Sequence, residues 1–176
     1  MELVAFVETR RVGRAIEVDG AGADEGSTAI AIDAAGDVWL NSGASNGNVA
    51  TSWIVEISNS GTVLSPNGGF TGGGINGPAG IVIDGAGSAW VANYEGNAVV
   101  EISSAGTILS GSTGLNGGAM NFPDSIAIDG SGDVWTTGTT SVTELIGAAA
   151  PVITPIAAGL PAIPTANGTS NLGTRP

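Results

Sequence analysis

One segment occurs three times in this chain, and the repetition constrains the fold more than any other feature. AIAIDAAGDVWLN (29–41), GIVIDGAGSAWVAN (80–93) and SIAIDGSGDVWTT (125–137) align without gaps through the tryptophan. Asp33, Asp84 and Asp129 mark the end of a short apolar run. Gly36, Gly87 and Gly132 mark a turn, and Trp39, Trp90 and Trp135 mark the next run. A glutamate follows in each copy, at Glu56, Glu101 and Glu144, inside a third run. The aspartates stand 51 and 45 residues apart, and the excess of six lies in SGASNGNVATSW, between the second and third runs of the first copy.

A period near 45 with four short apolar runs per copy predicts a β-propeller blade, which takes ~40–50 residues and four strands. The runs alternate or are wholly apolar over a few residues, and Gly, Asn, Asp or Ser bounds them, so they are strands rather than helices. The expected fold is all-β: a partial or half propeller of about three four-stranded antiparallel blades. Strands are expected near 28–32, 37–41, 53–58 and 62–65; near 79–83, 88–93, 98–103 and 107–110; and near 124–128, 133–137, 141–146 and 152–155. The three blades would occupy about 27–66, 78–110 and 123–155. Residues 1–26 fit the repeat poorly and read as an irregular segment or the remnant of a preceding blade. Residues 156–176 read as a Pro/Gly-rich tail. Thirty glycines without a G-X-Y period suit the turns of such a fold and exclude collagen.

The stretch NGPAGIVIDGAGSAWVANYEGNAVVEISSAGTIL (76–109) resembles the NHL-repeat family of β-propellers and the neighbouring streptogramin lyase-like bacterial proteins. The shared features are the Pro-x-Gly-Ile-x-x-Asp run, the glycine turn, the Trp-Val-Ala-Asn strand and the Val-x-Glu-Ile-x-x-x-Gly run. The resemblance covers roughly residues 27–155. It implies a ring of six blades, so three copies imply the C-terminal half of a longer protein or two chains pairing into one ring. It also implies two kinds of enzyme among relatives. Lyases of this group use a histidine with acids and a metal, and propeller lactonases hold calcium with Glu, Asn and Asp. This chain has no histidine. Asn41, Asn93 and Asp124 are its nearest match to a lactonase-like set.

Charge narrows the partners. The net charge is −12, there is no lysine, and the four arginines are Arg10, Arg11, Arg14 and Arg175. The repeated middle has no cation with which to neutralise phosphates, so nucleic acid is not an expected partner. An anionic membrane surface is disfavoured on the same ground, and no apolar run nears the ~20 residues that span a bilayer. Without cysteine or histidine, thiolate chemistry, common zinc sites and the most frequent general base are absent. The first residues lack the order of a secretory signal. The resemblance implies a secreted or envelope protein once full-length.

Each recurring polar residue has a structural reading. The aspartates are expected to accept backbone N–H bonds and fix the hairpin. Asp33 with Asp37, and Asp129 with Asp133, are also the places where Ca²⁺ could find oxygen ligands; otherwise no cofactor is implied. The glutamates are expected to face outward on alternating strands, and the three tryptophans to pack between blades. Trp53, which has no counterpart, is expected to be the exposed aromatic. The turns between second and third strands vary in length on a constant scaffold, as specificity loops do. Asn46, Asn48, Trp53, Tyr94, Glu95 and Asn97 are therefore the candidate binding residues. The function expected is a non-enzymatic binding scaffold for a protein or carbohydrate, with self-association through open blade edges. The alternative is part of a metal-dependent lactonase-type hydrolase or streptogramin-type lyase whose site needs further blades.

Overall fold

The computed structural model describes residues 27–42, 52–117 and 120–152. They form nine strands: β1 Ile30–Ile32, β2 Val38–Ser42, β3 Trp53–Ile57, β4 Pro78–Ile83, β5 Ala89–Asn93, β6 Ala98–Ile102, β7 Ser125–Ile128, β8 Val134–Thr137 and β9 Val142–Leu145. They make three antiparallel sheets in the orders β1-β2-β3, β4-β5-β6 and β7-β8-β9. This is the all-β partial propeller that the repeats predict. No described helix is long and apolar enough to cross a membrane.

The turn chemistry explains why the same hairpin forms three times. Gly36, Gly87 and Gly132 have φ of +82°, +85° and +87°, a conformation in which a Cβ is strained. The preceding aspartate caps each turn, and register follows from it: Ala31↔Trp39↔Glu56, Val82↔Trp90↔Glu101 and Ala127↔Trp135↔Glu144 are cross-strand rows. Residues directly opposite share a face, so in every sheet the tryptophan and the glutamate look the same way.

The fourth run differs from expectation. It pairs through single bridges, Ile57↔Val63 and Ile102↔Ile108, and not as a full strand. Leu64 N–H and Leu109 N–H each add one bond, to the carbonyls of Glu56 and Glu101. The run is then interrupted, since Pro66 cannot donate and Gly111 turns at φ +77°, and pairing resumes as a second single bridge at Ile54↔Phe70 and Val99↔Leu115. The expected fourth strand of the third copy falls largely outside the described residues, as do residues 1–26 and 156–176.

The sheets stack like blades. β1 lies against β4 and β4 against β7, while β2 and β5 lean on the first strand of the following sheet. Trp39 is fully buried in a core with Ile81, Ala89, Val91, Val100 and Ile102 of the second sheet. It also stacks on Phe70 at 5.6 Å between ring centroids. Trp90 repeats this one blade later, against Val134 and Ile126. Trp135 has the same place in the third sheet, where no described blade follows, and it is 39% exposed. The expected inter-blade role therefore holds for two tryptophans of three.

Candidate functional site

The hairpin topology separates two ends. One end carries the β5–β6 and β8–β9 turns and the paired ends Ser42 and Trp53 of β2 and β3, with the segments that lead into β4 and β7. The other carries the Asp-capped turns β1–β2, β4–β5 and β7–β8.

At the first end, the turn Tyr94–Asn97 is built into its surroundings. Tyr94 N–H donates to Gly77 O at 3.1 Å, and Glu95 N–H donates to Asn76 O at 3.1 Å. The Tyr94 ring meets Phe122 of the next sheet's leading segment, with centroids 5.0 Å apart and planes tilted by 43°. Asn97 Oδ1 accepts the Phe122 N–H at 2.8 Å. Asn97 and Phe122 have φ of 51° and 49°, the two positive values outside glycine among the described residues. Asparagine tolerates that region; phenylalanine, especially before Pro123, does not adopt it without strain. Tyr94, Glu95 and Asn97 are half-buried. Asn46 and Asn48 lie outside the described residues.

Trp53 does not become the exposed aromatic. It is half-buried, packed with Val55 and Ile57, and the backbone of Gly69 lies so close that a Cβ there would meet it at 2.9 Å. Trp135 takes that description instead, because its partner surface would belong to another blade. Phe122 was not among the sequence candidates. Its one signal was a bulky residue ahead of a proline in a segment already short of regular structure.

Asn41 and Asn93 are struts. Asn41 Oδ1 accepts from Thr28 and Ala29 N–H at 3.1 and 2.8 Å, and its amide donates to Thr28 Oγ1 and to the carbonyls of Pro78 and Ala79. It thus ties the first sheet to the second. Asn93 Oδ1 accepts from Asn76 N–H at 2.6 Å, and its amide donates to Gly74 O at 2.7 Å. Both residues are buried. A metal or substrate would have to displace these bonds to use either amide. Asp124 is exposed and engages Thr137 through its backbone. The side-chain oxygen of Asn76, beside Asn93, is buried without a hydrogen-bond partner.

At the opposite end the aspartates do what the sequence predicts. Asp33 Oδ1 accepts from Ala35 and Asp37 N–H, both at 2.9 Å, and Oδ2 accepts from Trp39 Nε1–H at 3.2 Å. Asp84 repeats this with Ala86, Ser88 and Trp90, and adds Ala150 N–H at 3.2 Å. Asp129 does the same with Ser131, Asp133 and Trp135. Those bonds hold the Asp129 carboxyl below the usual carboxylate range, the backbone N–H of Asp133 contributing most.

Of the glutamates expected to face outward, Glu144 does and Glu56 does not. Glu56 is buried, Glu101 half-buried and Glu144 exposed. Each shares the tryptophan's face, and that face is covered by the next sheet in the first two copies. Burial pushes the Glu56 carboxyl up to about 7, with Asp33 and Asp37 adding to the rise. Glu101 is also raised, by burial first, while a bond from the Ser88 hydroxyl works against the rise and Asp84 with it. One oxygen each of Asp33, Asp37 and Glu56 lies within 4.8 Å of the others, the one grouping of metal-ligating side chains among the described residues.

No protein family matches the sequence, and no curated protein does. Solved structures do match in fold. A gluconolactonase-like protein aligns at 16% identity with a TM-score of 0.50, over 73% of this chain and 48% of its own. A catalytically inactive virginiamycin B lyase from Staphylococcus aureus with quinupristin aligns at 17% identity and TM-score 0.49, over 75% and 44%. A streptogramin B lyase aligns at 18% and 0.47, over 75% and 42%. The chain spans about half the length of these structures or less. At such identities the likeness is one of fold, and the fold is that of a β-propeller, of which this chain supplies three blades.

Proposed function

We propose that the chain is a non-enzymatic binding module, and that its ligand surface is the end carrying the Tyr94–Asn97 turn. The observation that carries this reading is the clamp between Asn97 and Phe122. Phe122, in a costly backbone conformation, is held by the preceding sheet's turn, through a hydrogen bond to Asn97 and a ring contact with Tyr94. Backbone strain of about 1–3 kcal/mol per residue persists where the surroundings over-determine it, and it clusters at ligand sites. The ring pair offers an apolar platform, and the half-buried Glu95 carboxylate offers an acceptor beside it. That set suits a hydroxyl-rich ligand, a carbohydrate, ahead of an extended peptide. The amides that could have served catalysis here, Asn41 and Asn93, are engaged in structural bonds.

The test is binding of fluorescently labelled protein to a panel of neutral oligosaccharides. Saturable binding to one class is expected, weakened at least tenfold by Tyr94→Ala. The rival reading is a lactonase-type hydrolase or lyase completed by further blades. Hydrolysis of an aldonolactone above the buffer rate in the presence of Ca²⁺ would overturn the binding-module reading.

A further inference from the structure

We propose that Asp33, Asp37 and Glu56 form a structural site for a hard divalent cation, Ca²⁺, which ties the β1–β2 turn to β3. Three carboxylate oxygens lie within 4.8 Å of one another. Two oxygens on opposite sides of a calcium ion, each ~2.4 Å from it, are about that far apart. The donors are all oxygen, with no nitrogen or sulfur, which selects a hard ion.

The independent pointer is Glu56. It is 7% exposed, and no described residue gives its carboxylate a hydrogen bond. An ionised group with that burial needs a counter-charge or donors. None of the described residues is Lys, Arg or His, and its nearest charged neighbours, Asp33 and Asp37, are acids.

The other two sheets show how this place looks when it is not such a site. In the second, the neutral Ser88 stands where Asp37 does, so Glu101 faces one acid, Asp84, and not two. In the third, all three acids recur as Asp129, Asp133 and Glu144. There Glu144 is exposed to solvent; the turn itself is alike in both sheets, Asp133 Oδ1 accepting from Gly147 N–H at 2.6 Å as Asp37 Oδ1 accepts from Asn59 N–H at 2.8 Å. Among the described sheets, only the first brings three carboxylates together with one of these residues buried. The site lies at the end opposite the proposed ligand surface, so its role is to stabilise and not to bind that ligand. Asp33 and Asp37 are half-buried, which leaves an approach for the ion from solvent.

The indole of Trp39 donates to Asp33 Oδ2, so a lanthanide in this site would sit close to a tryptophan antenna. The experiment titrates chelator-treated full chain at pH 8 with Tb³⁺, reading tryptophan-sensitised emission, and then competes with Ca²⁺. Calorimetry with Ca²⁺ alone runs in parallel. The expected result is saturable emission, displaced by Ca²⁺, with affinity lowered at least tenfold in Asp37→Ser and in Glu56→Gln and unchanged in Asp133→Ser. Asp37→Ser installs the residue that the second sheet already carries at this turn, so the variant keeps its fold, and far-UV circular dichroism checks that. A flat Ca²⁺ isotherm on folded protein would overturn the proposal. So would emission that survives unchanged in both Asp37→Ser and Glu56→Gln.

Discussion

The aspartate of the second sheet offers the sharpest test of what holds the repeat together. Asp84 and Asp129 share three bonds, two from turn N–H groups and one from an indole, and Asp84 adds a fourth from the half-buried Ala150 N–H. Their surroundings differ. Around Asp84, Trp90 is 1% and Ser88 6% exposed; around Asp129, Trp135 is open to water. Asp84→Ala leaves two buried donors, Trp90 Nε1–H and Ser88 N–H, without acceptors. Each orphaned donor costs about 1–3 kcal/mol, and water can reach the freed Ala86 N–H because that residue is exposed. The expected loss is therefore about 3–4 kcal/mol, a large fraction of the stability of a domain this size. With a urea slope of about 2 kcal/mol/M, the midpoint should fall by about 1.5–2 M. Asp129→Ala should shift the midpoint by less than half as much, since solvent takes over the lost bonds. Asp84→Asn, which keeps one acceptor and the shape, should recover part of the loss. Urea unfolding followed by tryptophan fluorescence and circular dichroism measures all three. Equal shifts for Asp84→Ala and Asp129→Ala would refute the reasoning, because the donors left buried around Asp84 are what should make its loss the larger.

Three further outcomes follow from the same packing. Glu101 is raised above its ordinary 4.5, so the folded state holds its proton more tightly than the unfolded chain does. That contribution is fully present below about pH 4.5 and is lost as pH rises through the folded value. Glu101→Gln should match the parent near pH 4 and become progressively more stable than it toward neutral pH, as thermal midpoints across pH will show; a constant difference would count against burial as the cause. Gly106 has φ +80°, and a Cβ there would run into the Phe70 ring. That ring is stacked on buried Trp39 and cannot yield, so Gly106→Ala should cost about 2–3 kcal/mol. Gly130→Ala, where nothing lies within 4 Å, should stay within about 0.5 kcal/mol in the same denaturation assay. Asn41→Ala strips a strut between two sheets and should raise hydrogen exchange at Thr28 and Ala29, whose N–H groups it accepts, ahead of any change in the third sheet.

Much of the scaffold was legible in the residues because its causes are local. An aspartate that accepts its own turn's N–H groups, a glycine at positive φ and an alternating run together set a hairpin and its register, and these recur at fixed offsets. The tryptophan's place was legible for the same reason. The broken fourth strand was partly legible in Pro66, whose missing N–H interrupts the pairing between two single bridges. Phe122 was not, since its conformation is imposed by Asn97 and Tyr94, which reach it from another sheet. Trp53 was misjudged because an insertion looks exposed in sequence, whereas its ring finds cover beside Gly69 and Val55.

Glu56 and Glu144 draw the line most clearly. Each follows an Asp-x-x-Gly-Asp turn and a tryptophan, and each pairs with that tryptophan across the sheet. By itself the sequence determined the repeat, the turns, the cross-strand rows and the absence of any cation in the repeated region. Only the tertiary structure decided that one of these glutamates is buried against two aspartates while the other meets solvent. The reason is stacking. A second sheet covers the tryptophan face of the first and removes water from Glu56, and no described sheet does this for the third.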